Sequence, residues 1–381
     1  MKNIEIENQY HLLFSSKIHS LSSKLKNRGI KMRKNKFSKV LMIWVAVFAL
    51  ALTACSNSAN KSANSNTANA KSDTTGTNVA TTTTPSSVEI TDAHGKVTVP
   101  VNPKKVVALD SRTFETLANW DIKLAAVPKE VMPADSTYVK DDAVQNIGNH
   151  REPNLELLAS VDPDLVIVGQ RFASYYEDIK KLVPNAAVID LNFDVSGKEG
   201  IAGENLVKGL KDATTNLGNI FDKQEDATKL NAELDKAIEQ AKSAYNGTDK
   251  IMSVVVSGGN IGFSAPHSGR VWGPLYDIFG WAPSLEVEKS SSDHQGDDIS
   301  VEAIAQSNPD WIFVLDRDAA ISSSKDSVPA QDVIDKAPAL KNTTAITKGQ
   351  IVYAPNDTYT NESIETIIEL INNLATALGK K

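Results

Sequence analysis

The chain has one cysteine, Cys55, in 381 residues, so no intramolecular disulfide can form and the thiol needs another reason to exist. Its six histidines are scattered, two of them in the first 54 residues, with no His-x-His pair and no cysteine cluster. That argues against a dedicated zinc or manganese site. There is no Gly-x-Ser-x-Gly elbow and no His-Glu-x-x-His helix, so nothing suggests a hydrolase. Ser257-Gly-Gly-Asn-Ile-Gly follows a strand but lacks dinucleotide-binding spacing, and no P-loop lysine follows; it reads as a turn near a cleft. No apolar run is long enough to span a bilayer. The run from Val40 to Leu52 has 13 residues, about 20 Å as a helix, against a hydrocarbon core of about 30 Å. Basic charge is also scarce beyond the beginning. Residues 1–54 hold 10 of the 40 Lys and Arg but 2 of the 47 Asp and Glu, which leaves the remainder at −15. A body this acidic has no field with which to displace phosphate counterions, so nucleic acid is excluded as a partner.

What is present begins with Cys55. A basic stretch (Lys31, Arg33, Lys34, Lys36, Lys39) precedes the apolar run, which closes on Leu52-Thr53-Ala54-Cys55. The length and flanks are those of a signal peptide over residues 1–54, with either initiation at Met32 or an unusually long n-region. The closing tetrapeptide resembles the bacterial lipobox, which implies cleavage before Cys55 and diacylation of its thiol. Residues 55–87 follow, almost entirely Ser, Asn, Ala, Thr and Lys. Too few apolar side chains stand here to offset the entropy of ordering, so a disordered tether is expected.

From Val88 about 290 residues remain, enough for two domains. Val88 to Val99 alternates apolar and polar residues around an Asp92…Gly95 turn, predicting a β-hairpin. Short buried strands are predicted at Lys105–Leu109, Leu165–Val168 and Ala187–Leu191, separated by helix-period segments, and the same alternation resumes at Ile251. Residues 204–246 carry helical spacing only. The expected architecture is therefore an N-terminal α/β lobe (88–203), linking helices (204–246) and a C-terminal α/β lobe (247–381) with parallel sheets.

The two lobes echo each other. Asn154-Leu-Glu-Leu-Leu-Ala-Ser-Val-Asp-Pro-Asp-Leu-Val-Ile-Val matches Ser300-Val-Glu-Ala-Ile-Ala-Gln-Ser-Asn-Pro-Asp-Trp-Ile-Phe-Val at a constant offset of 146 residues. At that offset Arg171 follows the first strand and Arg317 the second, beyond the C-terminal ends of parallel strands, where α/β sheets bind ligands.

The lipobox, the tether, the paired lobes on one long helix and the duplicated Glu…Pro-Asp element resemble iron-siderophore substrate-binding lipoproteins of ABC importers, nearest to the catecholate (petrobactin and enterobactin) subgroup. The resemblance covers Val88 to Gly379. It implies two Rossmann-like lobes joined by a single long helix, the class III periplasmic-binding-protein fold, with no catalytic activity and no cofactor of its own. It implies a ferric siderophore gripped by Arg171, Arg270 and Arg317, whose flat, permanently charged guanidinium forks suit an anionic ferric catecholate. His294 and Tyr359 match the family's direct Fe(III) ligands, used when the siderophore supplies only four donors; Tyr353 is the alternative tyrosine. Phenolate and imidazole are sensible ligands for such a site. Glu156 and Glu302 match the carboxylates that dock on the permease, and each also suits the first turn of its helix. A monomer held on the outer face of the membrane by its lipid is expected. Haem or cobalamin receptors share the scaffold, but three cleft arginines suit those ligands poorly. A siderophore-processing enzyme or a cell-wall adhesin are the rivals of other classes.

Overall fold

The computed structural model describes residues 86–149, 151–321 and 328–380. Residues 1–54, Cys55 and nearly all of the tether lie outside the described residues.

The hairpin forms as its alternation predicts. Strand β1 (Ser87–Asp92) pairs antiparallel with β2 (Gly95–Pro100), and the pairing of Asp92 with Gly95 leaves a two-residue turn. Gly95 has φ +118°, a conformation that side-chain-bearing residues rarely adopt. The hairpin docks on the first lobe through Ala93, whose N–H donates to the Asp190 carbonyl at 3.0 Å.

The N-terminal lobe holds β3 (Val106–Ala108), α1 (Phe114–Asn119), β4 (Ala126–Val127), α2 (Thr137–Lys140), β5 (Gln145–Asn146), α3 (Leu155–Val161), β6 (Leu165–Val168), α4 (Tyr176–Leu182) and β7 (Ala187–Asp190). Its strands form one parallel sheet in the order β5-β4-β3-β6-β7. Two helices follow, α5 (Ala202–Phe221) and α6 (Gln224–Ala244). The C-terminal lobe holds β8 (Lys250–Ser257), β9 (Asn260–Phe263), α7 (Gly273–Phe279), β10 (Ala282–Pro283), α8 (Val301–Gln306), β11 (Trp311–Asp316), α9 (Arg317–Ala320), α10 (Ala330–Lys336), α11 (Thr344–Lys348), β12 (Ile351–Tyr353) and α12 (Ile364–Leu378). Its parallel order is β10-β8-β11-β12, with β9 antiparallel on β8. The Ser257-Gly-Gly-Asn turn is the two-residue link between β8 and β9.

The sequence repeat is a structural repeat. In each lobe the Pro-Asp aspartate pins the start of the neighbouring strand: Asp164 accepts from the N–H groups of Lys104 and Lys105 (both 2.8 Å), and Asp310 from that of Lys250 (2.9 Å). The aspartate thus sets register between the first strand of each lobe and its central neighbour. Side-chain caps start the helices before those neighbours, Asn154 accepting from Leu157 N–H and Ser300 from Ala303 N–H.

The linking region departs from one continuous helix. At Asp222 the chain turns left-handed (φ 56°), and Lys223 N–H closes on the Gly218 carbonyl. Both helices then run between the lobes. Leu206 and Leu210 of α5 enter the C-terminal core while Leu217, Ile220 and Phe221 enter the N-terminal one. Ala227 of α6 returns from the N-terminal core to Leu234, Ala237, Ile238 and Ala241 in the C-terminal core. Each helix is about 30 Å long, so the lobes share an antiparallel pair of struts. Among the described residues no helix is long and apolar enough to cross a membrane.

Candidate functional site

Arg171 and Arg317 sit just past the ends of the central strands β6 and β11, as their offset requires. Gly169 has no room for a side chain, because the buried Asp110 carboxyl fills the space where a Cβ would stand. Gln170 follows with φ 39°, and this left-handed kink precedes Arg171. Arg270 lies in a tight loop of the C-terminal lobe. Trp272 N–H donates to the Arg270 carbonyl at 2.7 Å across Val271, whose φ of +64° is strained for a β-branched residue. Trp272, fully buried against Phe313, anchors that loop from the core rather than lining the cleft.

The three arginines meet around Tyr359. The Arg270 guanidinium lies 4.4 Å from the centre of the Tyr359 ring and the Arg317 guanidinium 5.3 Å. Burial, followed by the positive charge of Arg270, holds Arg171 below the ordinary arginine range, and Arg317 adds to this while Tyr359 and Glu362 oppose it. Tyr353 is elsewhere: it packs in the second core of the C-terminal lobe, and burial, with Asp335 and Asp316, pushes its phenol up to about 12. The aspartates beside Arg317 are largely committed to backbone. Asp316 accepts from Ala319 and Ala330 N–H, and Asp318 from Gly258 N–H at 2.6 Å, leaving a 3.5 Å contact from Asp318 to Arg317. Arg317 also donates to Ser257 Oγ at 3.1 Å.

Two charged residues of this cluster escaped the sequence reading. Arg112, beyond the end of β3, has a side chain only 3% exposed and lies 4.1 Å over the Phe193 ring. The strand-end rule that found Arg171 applies to it equally. Glu362, 11% exposed, bridges the lobes: Oε1 accepts from Arg270 at 2.6 Å, and Oε2 from Gln170 at 2.8 Å and Arg112 at 3.4 Å. Burial pushes this carboxyl up, but Arg270 and Arg112, with the Gln170 bond, outweigh burial and hold it below the ordinary glutamate value. No repeat partner or motif marks Glu362.

A cavity of about 640 Å³ opens beside this cluster, walled by Arg112, Gln170, Phe193, Ser268, Arg270 and Glu362 among others, a volume typical of small-ligand sites. Arg171 and Arg317 are not among its walls; they join Arg270 around Tyr359 instead. Phe193 is held in place by Gly209 of α5, where any Cβ would overlap the ring.

The other expected site residues stand apart. His294 is 52% exposed on the loop just after Ser292, which lines the cavity, and its ring is 3.8 Å from Asp293. Among the described residues no group of three or more His, Cys, Asp or Glu side chains is arranged to hold a metal. Glu156 and Glu302 are exposed in the first turns of α3 and α8, at matching positions of the two lobes.

Comparison with known proteins agrees with this architecture. The chain is 29% identical over 289 residues to petrobactin-binding protein YclQ of Bacillus subtilis (strain 168), covering 74% of this chain and 84% of that protein. It is 27% identical over 283 residues to ferric-anguibactin-binding protein FatB of Vibrio anguillarum (strain ATCC 68554 / 775), with 74% and 84% covered. The crystal structure of the Bacillus subtilis petrobactin-binding protein superimposes with a TM-score of 0.65 at 26% identity, over 77% of this chain and 99% of that one. These relatives are binding proteins, in keeping with the expected absence of catalysis. A family profile matches residues 106–358, well over half the chain and reaching from β3 to the segment before Tyr359. The chain belongs to the periplasmic binding protein family.

Proposed function

We propose that this protein is a lipid-anchored receptor that captures a ferric siderophore of catecholate type and hands it to an ABC importer permease. The convergence of Arg171, Arg270 and Arg317 on Tyr359, drawn from both lobes, carries this reading. Ferric catecholates bear their negative charge on outward-facing oxygens, and guanidinium forks bind paired oxygens without changing protonation at any physiological pH. The siderophore names of the two relatives support the cargo class. A haem or cobalamin cargo would need a broad apolar cleft, which this charged one is not.

Iron is cargo here, not a resident cofactor. With a siderophore that supplies four donors, Tyr359 and His294 would complete the Fe(III) coordination. Tyr359 is the better placed of the two, since it stands beside the Arg270 and Arg317 guanidiniums while His294 lies half-exposed on its loop. Cys55 would carry the lipid, residues 55–87 would give the lobes reach from the membrane, and Glu156 and Glu302 would dock one on each half of the permease. Titration of intrinsic fluorescence against ferric catecholates, ferric hydroxamates, ferric citrate, haem and cobalamin tests the reading. Submicromolar quenching by ferric catecholates is expected, with at least about a hundredfold loss in the Arg171→Ala/Arg317→Ala protein, two charge-assisted contacts being removed. A response to haem alone, or a double variant within twofold of wild type, refutes it.

A further inference from the structure

A buried carboxylate is an unexpected resident in a cleft built for anions. Four guanidiniums (Arg112, Arg171, Arg270 and Arg317) stand in or beside the cleft, and Glu362 is the carboxylate that joins two of them. Its oxygens already hold the Arg270 donor at 2.6 Å and the Gln170 amide at 2.8 Å, with Arg112 at 3.4 Å. Gln170 is itself held by Ser111, whose hydroxyl donates to Oε1 at 2.6 Å, so the carboxylate sits in a prepared seat. The Nε atoms of Arg112 and Arg270 are buried without a hydrogen-bond partner, so the donors of both residues are only partly used. Glu362 lines the cavity, where an incoming ligand would meet it directly.

We infer that Glu362 is a specificity-determining counterion: an internal anion that the ligand must outcompete. It cancels repulsion among the arginines in the empty protein and so keeps small or weakly charged anions from occupying them. A compact, highly charged ferric complex can offer several oxygens to several arginines at once and overcome that competition. A free carboxylate or phosphate offers too few. Selectivity thus comes from an element that opposes binding as well as from those that favour it. This inference rests on the anion-receptor reading above.

The test compares wild type with Glu362→Gln, a near-isosteric change that keeps a hydrogen-bonding side chain beside Gln170. The probes are a ferric tris-catechol complex (a trianion), iron-free citrate and a neutral ferric trihydroxamate. The variant is expected to bind the trianion and free citrate at least about tenfold tighter, because one negative charge a few ångströms from the ligand is gone. The neutral complex should stay within twofold. The thermal midpoint of the unliganded variant should fall, since Arg112 and Arg270 lose the carboxylate charge they share and keep their carbonyl acceptors at Phe193 and Tyr359. Weaker stability with tighter anion binding is a combination that mere structural damage does not produce. Equal or weaker binding of both anions overturns the inference. If wild type binds no ferric complex, the receptor reading fails, and the citrate arm alone then decides the role of Glu362: tightening supports it and no change overturns it.

Discussion

Asp110 lies at the end of β3, fully buried beneath the cleft, with its Oδ1 accepting from Arg112 N–H at 3.2 Å and its Oδ2 without a hydrogen-bond partner. Burial pushes its carboxyl from 3.8 up to about 6, against the pull of Arg112; Asp190 and Glu362 add to the rise. A carboxyl raised in the folded state binds its proton more tightly there than in the unfolded chain. Its contribution is therefore fully present below pH 3.8 and is lost as pH rises through about 6. At ~1.36 kcal/mol per decade, the whole difference is about 3 kcal/mol, of which about 2 kcal/mol falls between pH ~4.5 and ~7.5. Asp110→Asn keeps the acceptor for Arg112 N–H and removes the titration. Whatever the amide itself costs is the same at both pH values and cancels. Urea unfolding followed by tryptophan fluorescence should then show the variant gaining about 2 kcal/mol on wild type between those two pH values. A stability difference that does not change with pH refutes the assignment of this carboxyl as the strained group under the cleft.

Other outcomes follow from the same geometry. An alanine in place of a helical glycine ordinarily stabilises by up to about 1 kcal/mol, but Gly209→Ala should instead destabilise by about 1–3 kcal/mol, because the new methyl meets the Phe193 ring. Ferric-ligand affinity should fall with it as Arg112 loses its support; a thermal midpoint at or above wild type contradicts this. Glu156→Lys combined with Glu302→Lys should abolish siderophore-dependent uptake by cells while leaving affinity for the ferric complex within twofold. Unimpaired uptake would show that these carboxylates only complement their helix dipoles.

Much of the architecture was legible because it is local or repeated. Asn154 and Ser300 cap their helices, Asp164 and Asp310 tie down the neighbouring strands, and Arg171 and Arg317 inherit equal positions from equal strands. Apolar spacing alone marked the linking segment as helical. The same spacing reads its second half, from Lys223 to Tyr245, as one helix, close to the observed Gln224–Ala244, although the left-handed cap at Asp222 lacks the glycine that usually announces one. Neighbouring Gly218 signals the close approach of Ala227 only once the second strut has folded back.

The amino-acid sequence by itself determined two α/β lobes, helices between them, and two arginines at equivalent strand ends. Periodicity, turn chemistry and duplication are written in adjacent residues. Only the tertiary structure decided which tyrosine stands among the arginines, and that Arg112 and Glu362, 250 residues apart, form an ion pair across the cleft. Those relations depend on how two sheets and two helical struts bring distant loops together. A buried charge is defined by the partners that surround it, and here those partners come from opposite lobes.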